Sequence, residues 1–163
     1  MAQLLEPERY PSVAALAGVA PILPALDRIA QGSVDDDDHS LAVDQWDCAT
    51  RLEAELQQIG LGHLNADART DALSGGERQR VALLGAWLSR ADWLILDEPS
   101  NQLDIDQQHK LAQQIARWPN GLVLISHDRG LLEHVNEIVE LSPLGLAVYG
   151  GNYSQYAAVR EQE

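Results

Sequence analysis

Leu73-Ser74-Gly75-Gly76-Glu77-Arg78-Gln79-Arg80 sets a hydroxyl, two adjacent glycines and a carboxylate into the opening of a helical pattern. Ser74 and Glu77 have the S-x-x-E spacing of a capping box, which predicts a helix from there through Arg90. Capping alone does not call for Gly75 and Gly76, which cost about 1 kcal/mol each relative to alanine in a helical turn. They make sense where the backbone must let another group come very close. A helix N-terminus presents free N–H groups and the positive end of a dipole, with no side chains in the way here, so the segment reads as an anion site of the phosphate-binding kind.

Two further clusters hold complementary chemistry. Trp93-Leu94-Ile95-Leu96 is a short apolar run ending in Asp97-Glu98-Pro99. Adjacent carboxylates at a strand end aim in different directions. Asp97 is therefore assigned to a Mg²⁺ ion, through water, and Glu98 to the polarisation of an attacking water. Leu122–Ile125 is a second such run, followed by Ser126-His127-Asp128. His127 would stand at the same sheet edge, where an imidazole can hydrogen-bond a phosphate or hold a water in place.

The elements that must position these groups follow from the patterning. Trp93 and Leu122 begin continuously apolar runs, with a helical pattern from Ile105 to Trp118 between them. Buried strand, helix, buried strand is a parallel α/β unit, whose chemistry gathers beyond the carboxyl ends of the strands. Ile138–Leu141 and Leu146–Tyr149, joined through Pro143-Leu144-Gly145, predict a hairpin. Upstream the chain reads as helical. Ser12–Ile29 predicts short helices or turns, broken around Pro21 and Pro24. Gly32–Ser40, with Asp35 to Asp38, predicts a solvated loop. Trp46, Ala49, Leu52, Leu56 and Ile59 predict one helix face between Asp44 and a Gly60 stop.

Composition excludes several functions. With 45 % apolar and 22 % charged residues, the 163 residues suit one globular domain. A net charge of −14 repels phosphate backbones, so no direct nucleic-acid binding by this piece is expected. Cys48 is the only cysteine, which leaves no disulfide and no cysteine metal cluster, in keeping with a cytoplasmic protein. The apolar stretch from Val13 to Leu26 is too short to span a bilayer, so no membrane contact is expected. Lys110 is the only lysine and follows His109, so no window reads G-x-x-x-x-G-K-[ST], the loop that cradles a nucleotide's phosphates.

Taken together, these motifs resemble those of ATP-binding-cassette proteins. LSGGERQR is similar to their signature, WLILDEP to their Walker B segment, Ser100-Asn101-Gln102-Leu103-Asp104 to their D-loop and ISHDR to their H-loop, in the family's order. EPSNQLD resembles the EPTNHLD of the ABC-F branch, with Ser100 for Thr and Gln102 for His. Tyr149-Gly150-Gly151-Asn152-Tyr153-Ser154-Gln155-Tyr156 is similar to the segment that closes that branch's first cassette. Gln3 stands about where the family keeps its Q-loop glutamine.

The resemblance implies a partial P-loop NTPase fold of ABC type. Residues 1–72 would form a helical subdomain, 73–150 the signature helix and catalytic α/β core, and 151–163 the start of a C-terminal linker helix. It implies ATP and Mg²⁺ as cofactors of the complete cassette. Ser74, Gly75, Gly76, Glu77, Gln3 and Asp104 would be nucleotide-binding, Asp97 the metal ligand, and Glu98 and His127 catalytic. The implied partner is a second cassette, in the same chain or as a homodimer, with the ribosome reached through segments outside this chain. Lacking the Walker A loop, the isolated chain is expected to bind ATP weakly and not to hydrolyse it. The alternatives are a transporter's ATP-binding subunit, a short regulator of another cassette, and an SMC-type DNA-repair ATPase, against which EPSNQLD and the acidic surface argue.

Overall fold

A computed structural model describes residues 6–89, 91–143 and 145–162. Chain contacts divide it into two compact units, with the break at residues 91 and 92. The helix that opens at Ser74 falls in the first unit.

The first unit is helical: α1 (Val13–Leu16), α2 (Ile22–Ala30), α3 (Asp36–Ala42), α4 (Cys48–Gln58) and α5 (Gly75–Leu88), with a 3₁₀ turn at Thr70–Ala72. Pro24 lies in the first turn of α2, where its missing N–H leaves no bond unmade. Gly60, at φ +76, ends α4. Its N–H donates to Gln57 O (3.0 Å) and that of Leu61 to Leu56 O (2.7 Å), the paired bonds of a Schellman stop. Cys48, Leu52 and Leu56 bury one stripe of α4 in a core shared with Val13, Leu16, Val81 and Leu84.

Two expectations are corrected here. The run Asp35–Asp38 is not a loop. Asp35 caps α3, its Oδ1 accepting from the Asp37 N–H (2.9 Å). The next three carboxylates occupy the first turn, where the helix dipole favours them. The stripe on α4 also starts later than the spacing predicts. Asp44 takes a left-handed φ of +56, which breaks any helical path from α3. Trp46 is consequently 60 % exposed ahead of the helix, Ala49 is exposed, and Cys48 takes the buried position.

Asp38 turns inward and is buried. The Arg28 Nε–H donates to both of its oxygens (3.0 and 3.1 Å) and the Ser33 hydroxyl to Oδ2 (2.8 Å). Those bonds, Arg28's first, hold the Asp38 carboxyl below its ordinary range. A folded-state pKa below the unfolded one contributes stability that is complete above about pH 3.9 and is lost as pH falls through the lower folded value. Asp38→Asn is therefore expected to flatten the acid limb of the melting-temperature profile below about pH 4, leaving its slope near neutrality unchanged. Thermal melts between acid and neutral pH check this; a wild-type acid limb in the variant refutes it.

Gly85 sits in the interior of α5, where a glycine ordinarily weakens a helix. A Cβ built there would lie 2.7 Å from both Cα and O of Ala17, so α1 and α5 meet backbone to backbone. Gly85→Ala gains about 1 kcal/mol of helix propensity but clashes with main chain that cannot swing aside. The expected net result is a loss of about 1–3 kcal/mol, read from the urea midpoint. A stabilised variant would show that this contact is loose.

The second unit runs β1 (Trp93–Asp97), α6 (Ile105–Arg117), β2 (Gly121–Ile125), α7 (Arg129–Leu132), β3 (Glu137–Ser142), β4 (Gly145–Gly150) and α8 (Tyr153–Arg160). As expected, β1 and β2 pair in parallel, with Trp93 opposite Gly121 and Asp97 opposite Ile125. β3 and β4 form an antiparallel hairpin, Ser142 opposite Gly145. The two parallel strands are not buried on both faces. Leu94 and Leu96 are buried, whereas Trp93 and Ile95 are 68 % and 72 % exposed, and Val123 and Ile125 are exposed as well. Successive residues of a strand face opposite ways, and here one face stands open. No helix among the described residues is long and apolar enough to cross a membrane.

Candidate functional site

The phosphate-binding candidate is the first turn of α5. Ser74 adopts extended backbone and its Oγ accepts from the Glu77 N–H (3.3 Å). In return the Ser74 N–H and hydroxyl both donate to Glu77 Oε2 (2.8 and 2.7 Å). The expected capping box is thus present. Hydrogen bonds from Ser74, first its hydroxyl and then its backbone, keep the Glu77 carboxyl below its ordinary range. The box occupies the N–H groups of Ser74 and Glu77. Helix geometry leaves those of Gly75 and Gly76, in the same turn, without intrahelical acceptors. An arriving anion would meet these two donors and a hydroxyl that must first leave Glu77. The Arg78 Nη1–H donates to Leu73 O (2.8 Å) and fixes the approach to the turn.

The second candidate lies at the carboxyl ends of β1 and β2. Asp97 is the last residue of β1 and is exposed. Glu98 leaves the strand at φ +47, a left-handed conformation that non-glycine residues rarely adopt. Its N–H donates to Ile125 O (2.8 Å), which stitches the two strand ends together. The Glu98 side chain is half-buried, whereas that of Asp97 is exposed. His127, whose side chain is 99 % exposed, brings Nε2 to 3.6 Å from Glu98 Oε1. Backbone strain of this kind gathers at functional positions. The sequence shows the two carboxylates but not the strained turn that separates them.

Asp97, Glu98 and His127 are therefore brought to one edge. Asp104 has a local role: it caps α6, its Oδ1 accepting from the Gln107 N–H (2.8 Å). Gln3 lies outside the described residues. Sequence reading passed over Ser126, whose Oγ accepts from the Asp128 N–H (3.0 Å), and Asp128, whose Oδ1 accepts from Gly130 N–H (2.9 Å). An S-x-D-x-G spacing around the histidine is the signal that points to both.

No group of three or more His, Cys, Asp or Glu side chains that could hold a metal occurs among the described residues. Mg²⁺ keeps most of its water and takes one or two carboxylates alongside substrate phosphates, so it does not require such a group. Asp97, exposed at a strand end, fits such a single ligand.

The fold itself is that of a nucleotide-binding cassette. A bacterial ABC transporter cassette solved as a dimer superposes with a TM-score of 0.52 at 19 % identity, covering 78 % of this chain and 50 % of that one. Residues 16–101 match the family model described as ABC transporter. This chain belongs to the ATP-binding-cassette family, and the relatives that it matches include ABC-F proteins. The energy-dependent translational throttle protein EttA of Mycobacterium tuberculosis is 41 % identical over 69 % of this chain and 20 % of its own length. The probable ATP-binding protein YheS of Escherichia coli is 34 % identical over 73 % of this chain and 19 % of its own length. The chain thus spans about a fifth of these curated relatives.

Proposed function

We propose that this chain is the signature and catalytic-edge portion of an ABC-F ATPase, contributing to ATP sites formed where two cassettes close. The observation that carries the reading is the left-handed Glu98 that follows Asp97 at the end of β1, set beside His127. Ser74, Gly75 and Gly76 bind the γ-phosphate of a nucleotide held by a second cassette, with Glu77 holding the turn open. Asp97 would hold Mg²⁺ through water, and the ion would supply positive charge against the phosphates. Glu98 polarises the attacking water and His127 steadies the γ-phosphate. Asp104 and Gln3 belong to the loops that border the nucleotide. The water oxygen bonds to the γ-phosphorus as the bond to the bridging oxygen breaks, leaving ADP and inorganic phosphate. Positioning and electrostatics drive this step.

EttA's description as an energy-dependent translational throttle protein supports a role in translation; a cytoplasmic location and ribosome contacts made by segments other than this one complete the proposal. The family's G-x-x-x-x-G-K-[ST] loop has no counterpart in these 163 residues, so the grip on the triphosphate comes from elsewhere. A fluorescent ATP analogue titrated against the chain alone is expected to show no saturable sub-millimolar binding, whereas the intact ATPase binds it. Tight binding by the chain alone overturns this division of labour.

A further inference from the structure

His127 is almost wholly exposed, so no packing holds its ring, and its backbone alone decides where the side chain starts from. That backbone leads directly into α7, a single turn of four residues. A turn that short has no stability of its own. The Asp128 carboxylate caps it by accepting from the N–H groups of Gly130 (2.9 Å) and Leu131 (3.4 Å), and Leu131 is buried.

Helix α8 grips the same turn at both ends. The Arg129 guanidinium lies 5.3 Å from the centroid of the Tyr153 ring, and the Ser154 hydroxyl donates to Glu133 Oε1 (2.5 Å). Arg129 is the first residue of α7 and Glu133 its C-cap; Tyr153 and Ser154 open α8. α8 is itself anchored. Asn152 and Gln155 close a capping box, Tyr149 and Tyr156 meet edge to face at 5.0 Å, and the Gly151 N–H donates to Asn136 O (2.8 Å).

We propose that Arg129, Tyr153, Glu133 and Ser154 are positioning residues that hold His127 at its working angle through α7. The proposal rests on His127 acting on the γ-phosphate. A loosened imidazole lowers the rate of the phosphate step with little effect on nucleotide capture, because His127 is only one of several groups that meet the nucleotide.

The test uses steady-state ATPase kinetics of the intact ATPase. Arg129→Met, a change at an exposed side chain that leaves folding intact, is expected to lower kcat about threefold with KM for ATP unchanged. The Tyr153→Leu, Ser154→Ala double variant is expected to lower it about tenfold, again at constant KM. Tyr153→Phe keeps the ring face and is expected to retain wild-type kcat. Unchanged kcat in Arg129→Met and the double variant, a parallel rise in KM, or failure of the Phe variant overturns the clamp. His127→Ala separates the two layers. If that variant hydrolyses ATP normally, the role of His127 is wrong; if it is slow while the clamp variants are normal, only the clamp is wrong.

Discussion

Glu98→Gln is expected to lower ATP turnover by the intact ATPase about 10²- to 10⁴-fold while nucleotide binding persists. The amide matches the carboxylate in size and fits the same left-handed turn, so the strand ends stay joined by the Glu98 N–H to Ile125 O bond. What disappears is the negative charge and the ability to draw a proton from water. Phosphate release under single-turnover conditions, alongside equilibrium nucleotide binding, separates these effects. Retention of more than about a tenth of the wild-type rate would remove Glu98 from the role assigned to it. A loss of binding would instead point to a collapsed strand end.

Leu52→Ala should produce the largest change in stability, a loss of about 2–5 kcal/mol. Leu52 is 2 % exposed and lies between Cys48 and Leu56 on the stripe of α4 that faces the core. Val81 and Leu84 of α5 belong to the same cluster, so the substitution leaves a void at the centre of the first unit. Domains of this size are stable by about 5–15 kcal/mol, and the variant would lose much of that margin. Urea denaturation followed by helical signal measures it. A cost below about 1 kcal/mol would show that the site collapses without a cavity.

The parts legible in the sequence are those fixed by local rules. Ser74 and Glu77 announce their capping box, and Gly60 its helix stop. The parallel strands are visible because two apolar runs flank a helix at α/β spacing, and the hairpin because Pro143 and Gly145 flank its turn. The rest depends on partners distant in sequence. Asp38 looks like one more solvated carboxylate until Arg28 is folded against it. Trp46 keeps the helical spacing of Leu52 and Leu56, yet the Asp44 turn excludes it from the helix. Periodicity carries no information about which face of a strand will be covered, so Trp93 and Ile95 read as buried. Glu98 is visible as a carboxylate, but its left-handed backbone and its bond to Ile125, 27 residues on, are not.

The close meeting of Gly85 and Ala17 has a mechanical consequence. α5 is a rod of about 20 Å. One end presents Gly75 and Gly76; the other is bolted to α1 through main chain, with no compliant side chain in between. A second tie, from the Arg80 Nη1–H to Ile59 O at 2.6 Å, joins the middle of the rod to the end of α4. A rod held this way has little freedom to move apart from α1 and α4, so the position of its glycine tip is tied to theirs.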